Sequence, residues 1–170
     1  KIYSFFLSQL KPKMVVTEGS KMYLDKKDTL LLSIYPNFEP FETEIVKRYV
    51  KEGMTVVDAG ANIGYYTLLL SRLVGPKGLV HAFEPGKENF ELLKKNVELN
   101  KYKNTKLNRA ALSNKEGVIK LYLSETNPQD HRIVKDKETS KFEKVSAVTL
   151  DKYFGKKNDV EFIKMDIQGA

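Results

Sequence analysis

Hydrophobic positions in this chain recur at two periods, and the switch between them marks the elements. Thr55-Val56-Val57-Asp58 is a β-branched run followed by Gly60, which predicts a buried strand entering a tight turn. Tyr65–Val74 is apolar throughout and long enough for a helix, and Gly75-Pro76-Lys77-Gly78 turns the chain. Leu79–Phe83 predicts a second buried strand, closed by Glu84-Pro85-Gly86. Lys87–Asn100 is amphipathic, with Phe90, Leu93 and Val97 on one face. Thr105–Leu112 predicts a third strand. The order β-α-β-α-β with short links implies a parallel sheet with right-handed crossovers. The period then becomes two: Val118–Leu123 and Val145–Leu150 alternate around the polar stretch Ser124–Glu138, so a hairpin insertion is expected at about 117–150. Val160–Met165 is a fourth apolar strand, ending at Asp166, expected to pair with the first.

Residues 1–52 form an extension before this framework, which occupies 53–170. Met22–Leu24 and Thr29–Ile34 predict short strands around the charged turn Asp25–Asp28, and Phe41, Ile45, Tyr49 and Val50 predict a helix stopped by Gly53. The sequence begins at Lys1 and ends as a strand ends, so it is expected to be a piece of a longer chain. The outer edge of Val160–Met165 would then need covering, by sequence outside these 170 residues or by a second copy of the chain.

Composition narrows the chemistry. There is no Cys, which excludes disulfides, a thiol nucleophile and Cys-ligated metal. His81 and His131 are the two histidines, too few for a multi-histidine site, and no metal is expected. No apolar run approaches a membrane span of ~20 residues and no signal peptide is legible, so the expected location is the cytoplasm. The net charge is +7, and Lys94–Lys120 holds eight basic and two acidic residues. Such a window fits an anionic partner such as RNA. It also fits a solvated helix end and loop, the favoured reading, because Tyr102 is its one aromatic.

The strand-to-helix turn Asp58-Ala59-Gly60-Ala61-Asn62-Ile63-Gly64 carries the strongest chemical signal. Glycine there lets the backbone approach a ligand, and ligands of such sheets bind beyond the carboxyl ends of the strands. The spacing is Gly-x-x-x-Gly, not the Gly-x-Gly-x-x-Gly of a dinucleotide turn. Asp58 would repel a phosphate and attract a cation. Glu84 ends the second strand, where an acid bonds ribose hydroxyls, and Asp166 ends the fourth. A ligand with a ribose and a positive centre satisfies all three, and S-adenosylmethionine has both. Each acid alone has a plainer role, as a helix cap for Asp58 or a turn former for Glu84. His131, in Pro128-Gln129-Asp130-His131-Arg132-Ile133, is a candidate base beside Asp130. Its plainer reading is a surface loop histidine. His81 reads as a core residue.

These motifs resemble, in order, the FkbM family of S-adenosylmethionine-dependent methyltransferases. The likeness runs through Asp58–Thr67, Phe83-Glu84-Pro85, Asn89-Phe90-x-x-Leu93-x-x-Asn96, Ala111-Leu112-Ser113, Gly117, Val148-Thr149-Leu150-Asp151 and Ile163–Ala170. It covers about Phe38 to Ala170. The resemblance implies an α/β, Rossmann-like class-I methyltransferase sheet, of whose seven strands four precede Ala170. It further implies that Asp58, Gly60, Asn62 and Gly64 surround the methionine part of the cofactor, Glu84 holds the ribose, Ala110 and Ala111 flank the adenine and Asp166 faces the reactive methyl. Gln168 stands where the family pattern has Glu, and the chain stops before the pattern's final Glu. The implied reaction is O-methylation of a small molecule or glycan. An RNA methyltransferase and a non-catalytic cofactor-binding domain are the alternatives, and the glycine spacing disfavours an NAD-dependent oxidoreductase.

Overall fold

Four parallel strands form the central sheet of the computed structural model, which describes residues 12–123, 141–156 and 159–167. In chain order the elements are β1 (Met14–Thr17), β2 (Ser20–Tyr23), α1 (Pro40–Tyr49), β3 (Thr55–Ala59), α2 (Tyr65–Val74), β4 (Leu79–Phe83), α3 (Lys87–Leu99), β5 (Thr105–Asn108), β6 (Ala111–Leu112), β7 (Gly117–Tyr122), β8 (Phe142–Val148), α4 (Leu150–Phe154) and β9 (Phe162–Met165). The sheet order is β5-β4-β3-β9. β3 therefore lies between β4 and β9, and Asp58 is in register with Ala82 on one side and Lys164 on the other. The expected pairing of the fourth framework strand with the first is what the structure has. Among the described residues β9 is an edge, and its Ile163 and Met165 are 44% and 57% exposed.

The β-branched run of β3 is explained by burial on both faces. Val56 joins a core cluster with Leu69, Val80 and Leu93, and Val57 joins another with Phe83 and Leu112. The hairpin is also present. β7 and β8 pair antiparallel, and β6 pairs with β8 in parallel.

Four segments depart from the expected elements, the first being β1, an unexpected strand that takes the place of Thr29–Ile34 as the partner of β2. Thr29–Ile34 is not a strand. Its backbone makes successive turns (Leu31 N–H to Asp28, Ile34 N–H to Leu31), and Asp25 and Asp28 accept from the N–H groups of Lys27, Thr29 and Ser33. Local side-chain acceptors of this kind outcompete a ladder. The expected strand Thr105–Leu112 breaks after Asn108. Its first half completes the parallel sheet as β5 and its second joins the hairpin as β6. The short helix α4 was not expected; the Thr149 hydroxyl caps it, accepting from the Lys152 N–H. Among the described residues no helix is long and apolar enough to cross a membrane.

Candidate active site

The carboxyl ends of β3, β4 and β9 meet at a cavity of about 250 Å³. Its floor is the turn after β3. Gly60 and Ala61 donate their N–H groups to the Phe83 carbonyl, which ties the turn to the end of β4. Gly60 has φ +79°, and a Cβ there would overlap the Asp166 carbonyl oxygen. Asn62 also adopts a left-handed backbone, with φ +51°. Such a conformation in a non-glycine residue is held by its surroundings. Here Asn62 N–H donates to Glu84 Oε2 at 2.8 Å.

Glu84 is buried. Its Oε1 accepts from Gly86 N–H at 2.9 Å, so two backbone donors fix the carboxylate. Burial nevertheless pushes its pKa up to about 7, against the opposing pull of those donors, and the neighbouring Asp58 charge adds to the rise. Asp58 is fully buried. Its Oδ2 accepts from Thr67 Oγ1 at 2.6 Å, while Oδ1 has no hydrogen-bond partner among the described residues. Burial raises its pKa, and the Lys164 ammonium opposes the rise. Asp166 donates its N–H to the Ala59 carbonyl, and its side chain is 51% exposed at the mouth.

Lys164 lines the same wall. Its Nζ lies 3.9 Å from Asp58 Oδ1, 3.8 Å from Asp166 Oδ2 and 4.6 Å from the centroid of the Tyr66 ring. The Tyr66 hydroxyl donates to Glu39 Oε2 at 2.9 Å, and burial raises the pKa of that hydroxyl. Glu39 precedes α1 with φ +43°. Phe38 packs edge-on against Tyr65 and Tyr66. At the β5 end of the sheet, Ala110, Ala111 and Leu112 complete the lining with Phe83 and Pro85.

The structure thus brings together Gly60, Asn62, Glu84, Ala110, Ala111 and Asp166 around one cavity. Asp58 stands directly behind the wall, reaching the cavity through Lys164. Gly64 does not line the cavity. It begins α2 with φ +106°, and a Cβ there would press on Leu93 Cδ1 at 2.8 Å. His131, Asp130 and Gln168 lie outside the described residues. His81 is buried on β4 with its Nδ1 2.9 Å from the Tyr153 hydroxyl, and burial lowers its pKa, which is core behaviour. The basic residues of Lys94–Lys120 are exposed. Arg109 pairs with Glu143, and the Tyr102 hydroxyl is bonded to Ser20.

Sequence reasoning did not single out Lys164, Tyr66, Glu39 or Phe38. For Lys164 a signal existed: it stands two positions before Asp166, hence on the same side of the strand. For Phe38 and Glu39 none did, because the fold alone carries the segment before α1 to the cavity.

The chemistry fits a cationic nucleoside ligand. The lining holds three carboxylates (Glu39, Glu84, Asp166) and one ammonium, with Asp58 Oδ1 unpartnered just behind. The Gly60 turn leaves no room for a side chain, as close backbone approach requires. A "Methyltransferase sdnD" of Sordaria araneosa is 31% identical over 117 residues, covering 65% of this chain and 45% of that protein. A "Methyltransferase 1" of Beauveria bassiana is 25% identical over 136 residues, covering 68% and 54%. The chain thus spans about half the length of these curated relatives. A solved SAM-dependent methyltransferase from Aquifex aeolicus is 36% identical over 37% of this chain and 34% of its own, with a TM-score of 0.35. The model of the Methyltransferase FkbM domain matches residues 58–170, and the chain belongs to that family.

Proposed function

We propose that this cavity binds S-adenosylmethionine and that the chain methylates a hydroxyl group of a small molecule or glycan. The observation that carries the reading is the convergence of the Gly60 turn with Asp58, Glu84 and Asp166 at one sheet edge. When bound, the cofactor supplies an electrophilic methyl carbon on a positively charged sulfur.

Each role follows from the placement of a residue of this chain. Glu84 retains a lone pair beyond those taken by the Asn62 and Gly86 N–H groups and the Asn89 side chain, and this accepts from the ribose hydroxyls. Ala110, Ala111 and Leu112 give an apolar surface for the purine. Asp58, Asp166 and Glu39 set a negative potential for a cationic ligand. Phe38, Tyr65 and Tyr66 wall the β9 side, where the acceptor is held in line. Asp166, at the mouth, takes the proton of the acceptor hydroxyl. His131 is the second candidate for that role.

Isothermal titration with S-adenosylmethionine, its demethylated product and NAD tests the reading. Binding of the first two and not NAD is expected. Asp58→Ala and Glu84→Ala should each weaken cofactor binding by about 1–3 kcal/mol. Absence of binding to the parent, or parent-like affinity in both variants, would overturn the assignment. A screen of hydroxylated acceptors with methyl-labelled cofactor then separates an enzyme from a binding domain, and salt-dependent RNA binding would instead favour an RNA acceptor.

A further inference from the structure

Lys164 is the one cationic side chain that lines the cavity among the described residues, and the mechanism above gives it no task. Its side chain is 14% exposed. An ammonium that deeply placed ordinarily donates hydrogen bonds to carboxylates or carbonyls. This one donates none among the described residues. It stands between Asp58 Oδ1 and Asp166 Oδ2 at 3.9 and 3.8 Å, too long for either bond, with the face of Tyr66 at 4.6 Å. It is held in place by charge and by a ring, so its positive field reaches the cavity instead of ending in a close bridge.

Resting on the cofactor assignment above, a consequence for binding follows. The cofactor and its demethylated product share almost all of their shape and differ by one methyl group and one positive charge. The carboxylates favour the charged form and Lys164 disfavours it. We propose that Lys164 is a positioning residue that sets the charge balance of the cavity: it weakens the hold on the cationic cofactor relative to the neutral product. A repulsion present before the reaction and absent after it lowers the barrier to losing that charge. It works against the tightest ground-state binding, which carboxylates alone would give.

The test is a ratio. The dissociation constants for S-adenosylmethionine and for its demethylated product are measured by titration calorimetry on the full chain, in the parent and in Lys164→Met, Lys164→Arg and Asp166→Asn. In Lys164→Met the preference for the charged cofactor should rise about fivefold to tenfold, the scale of two charges sharing a small cavity. Lys164→Arg, which keeps the charge, should stay within about twofold of the parent. Asp166→Asn should move the ratio in the opposite direction. Lys164→Met also strips the buried Asp58 of its cation, and adding Asp58→Asn should return the ratio toward the parent. Equal weakening of both ligands in Lys164→Met would show a merely structural role and overturn the proposal. So would an arginine variant that shifts as far as the methionine one. If Lys164→Met fails to fold, the Asp166→Asn ratio decides, and an unchanged value overturns the proposal. A parent that binds neither ligand instead overturns the cofactor assignment, and the inference falls with it.

Discussion

At Gly60 the chain bends with φ +79° directly under the Asp166 carbonyl, whereas Gly64, four residues on, meets only the flexible end of Leu93. The two glycines therefore answer substitution differently. Gly60→Ala forces backbone on backbone at the cavity floor and should abolish cofactor binding, with a stability loss above ~3 kcal/mol. Gly64→Ala strains φ and displaces a methyl group, a loss of about 1–3 kcal/mol, and leaves cofactor affinity within about twofold. Thermal melts with calorimetric titration separate the cases, and equal loss of binding in both variants would show that Gly64 reaches the ligand. Glu84 supplies a pH signature. Its carboxyl moves from 4.5 to about 7 on folding, so the folded state holds the proton more tightly. The stability from this group is fully present below about pH 4.5 and is lost as pH rises through about 7, a change of about 3 kcal/mol at most. Glu84→Gln should flatten that loss between pH 5 and 8 in denaturant titrations. In the parent, cofactor affinity should rise from pH 6 to 8, because the ionised carboxylate is the better acceptor for hydroxyl groups, and the variant's affinity should stay level. Asp58 and Glu84 were legible in the sequence because each ends a strand whose type was clear. Lys164 carried only the signal of its place two positions before Asp166, and a lysine inside an apolar strand reads as an edge residue until the neighbouring Asp58 is placed opposite it.

Between β3 and α3 the elements fall where the periodicity puts them, since each buries a continuous face and nothing local competes. The segment before α1 is different. Its turns are held by Asp25 and Asp28, and its apolar Leu32 packs inward without a strand. An apolar run therefore misled, and the cue for turns was the aspartates that precede it. The splitting of Thr105–Leu112 into β5 and β6 was equally hidden, because both halves have strand character and only the partner strands tell them apart. The same N-terminal segment delivers Phe38 and Glu39 to the cavity wall, where the Tyr66 hydroxyl donates to the Glu39 carboxylate. Tyr66→Phe removes that bond and keeps the ring beside Lys164. It should cost about 1 kcal/mol in urea unfolding. If the β9 side receives the acceptor, the variant should raise the acceptor KM while leaving the cofactor dissociation constant within about twofold. A change confined to cofactor affinity would place the cofactor on that side instead.

One core cluster joins the N-terminal segment to the parallel framework. Met22, Leu30, Leu32, Val46 and Val50, all before residue 53, are buried in the same cluster as Val56, Leu69, Val80 and Leu93 of the parallel framework. Asn96 of α3 reinforces the junction: its side chain accepts from the Tyr23 N–H and donates to the carbonyls of Tyr23 and Ile63, linking the first hairpin to the turn that floors the cavity. Burying an aliphatic side chain of this size is worth about 1.5–3 kcal/mol. Five such residues contribute about 7.5–15 kcal/mol of burial, which is set against the entropy of ordering the segment. The extension is thus too deeply shared to behave as an appendage, although the sequence shows a clean change of pattern at Gly53. A chain beginning at residue 53 should expose the faces of α2 and α3 against which this segment packs. It should lack a cooperative calorimetric transition and bind the cofactor at least tenfold more weakly than the 170-residue chain, which should unfold in one transition. A shortened chain that melts cooperatively and keeps full affinity would mean that the parallel framework closes its own core, and that the N-terminal segment serves only the acceptor side of the cavity.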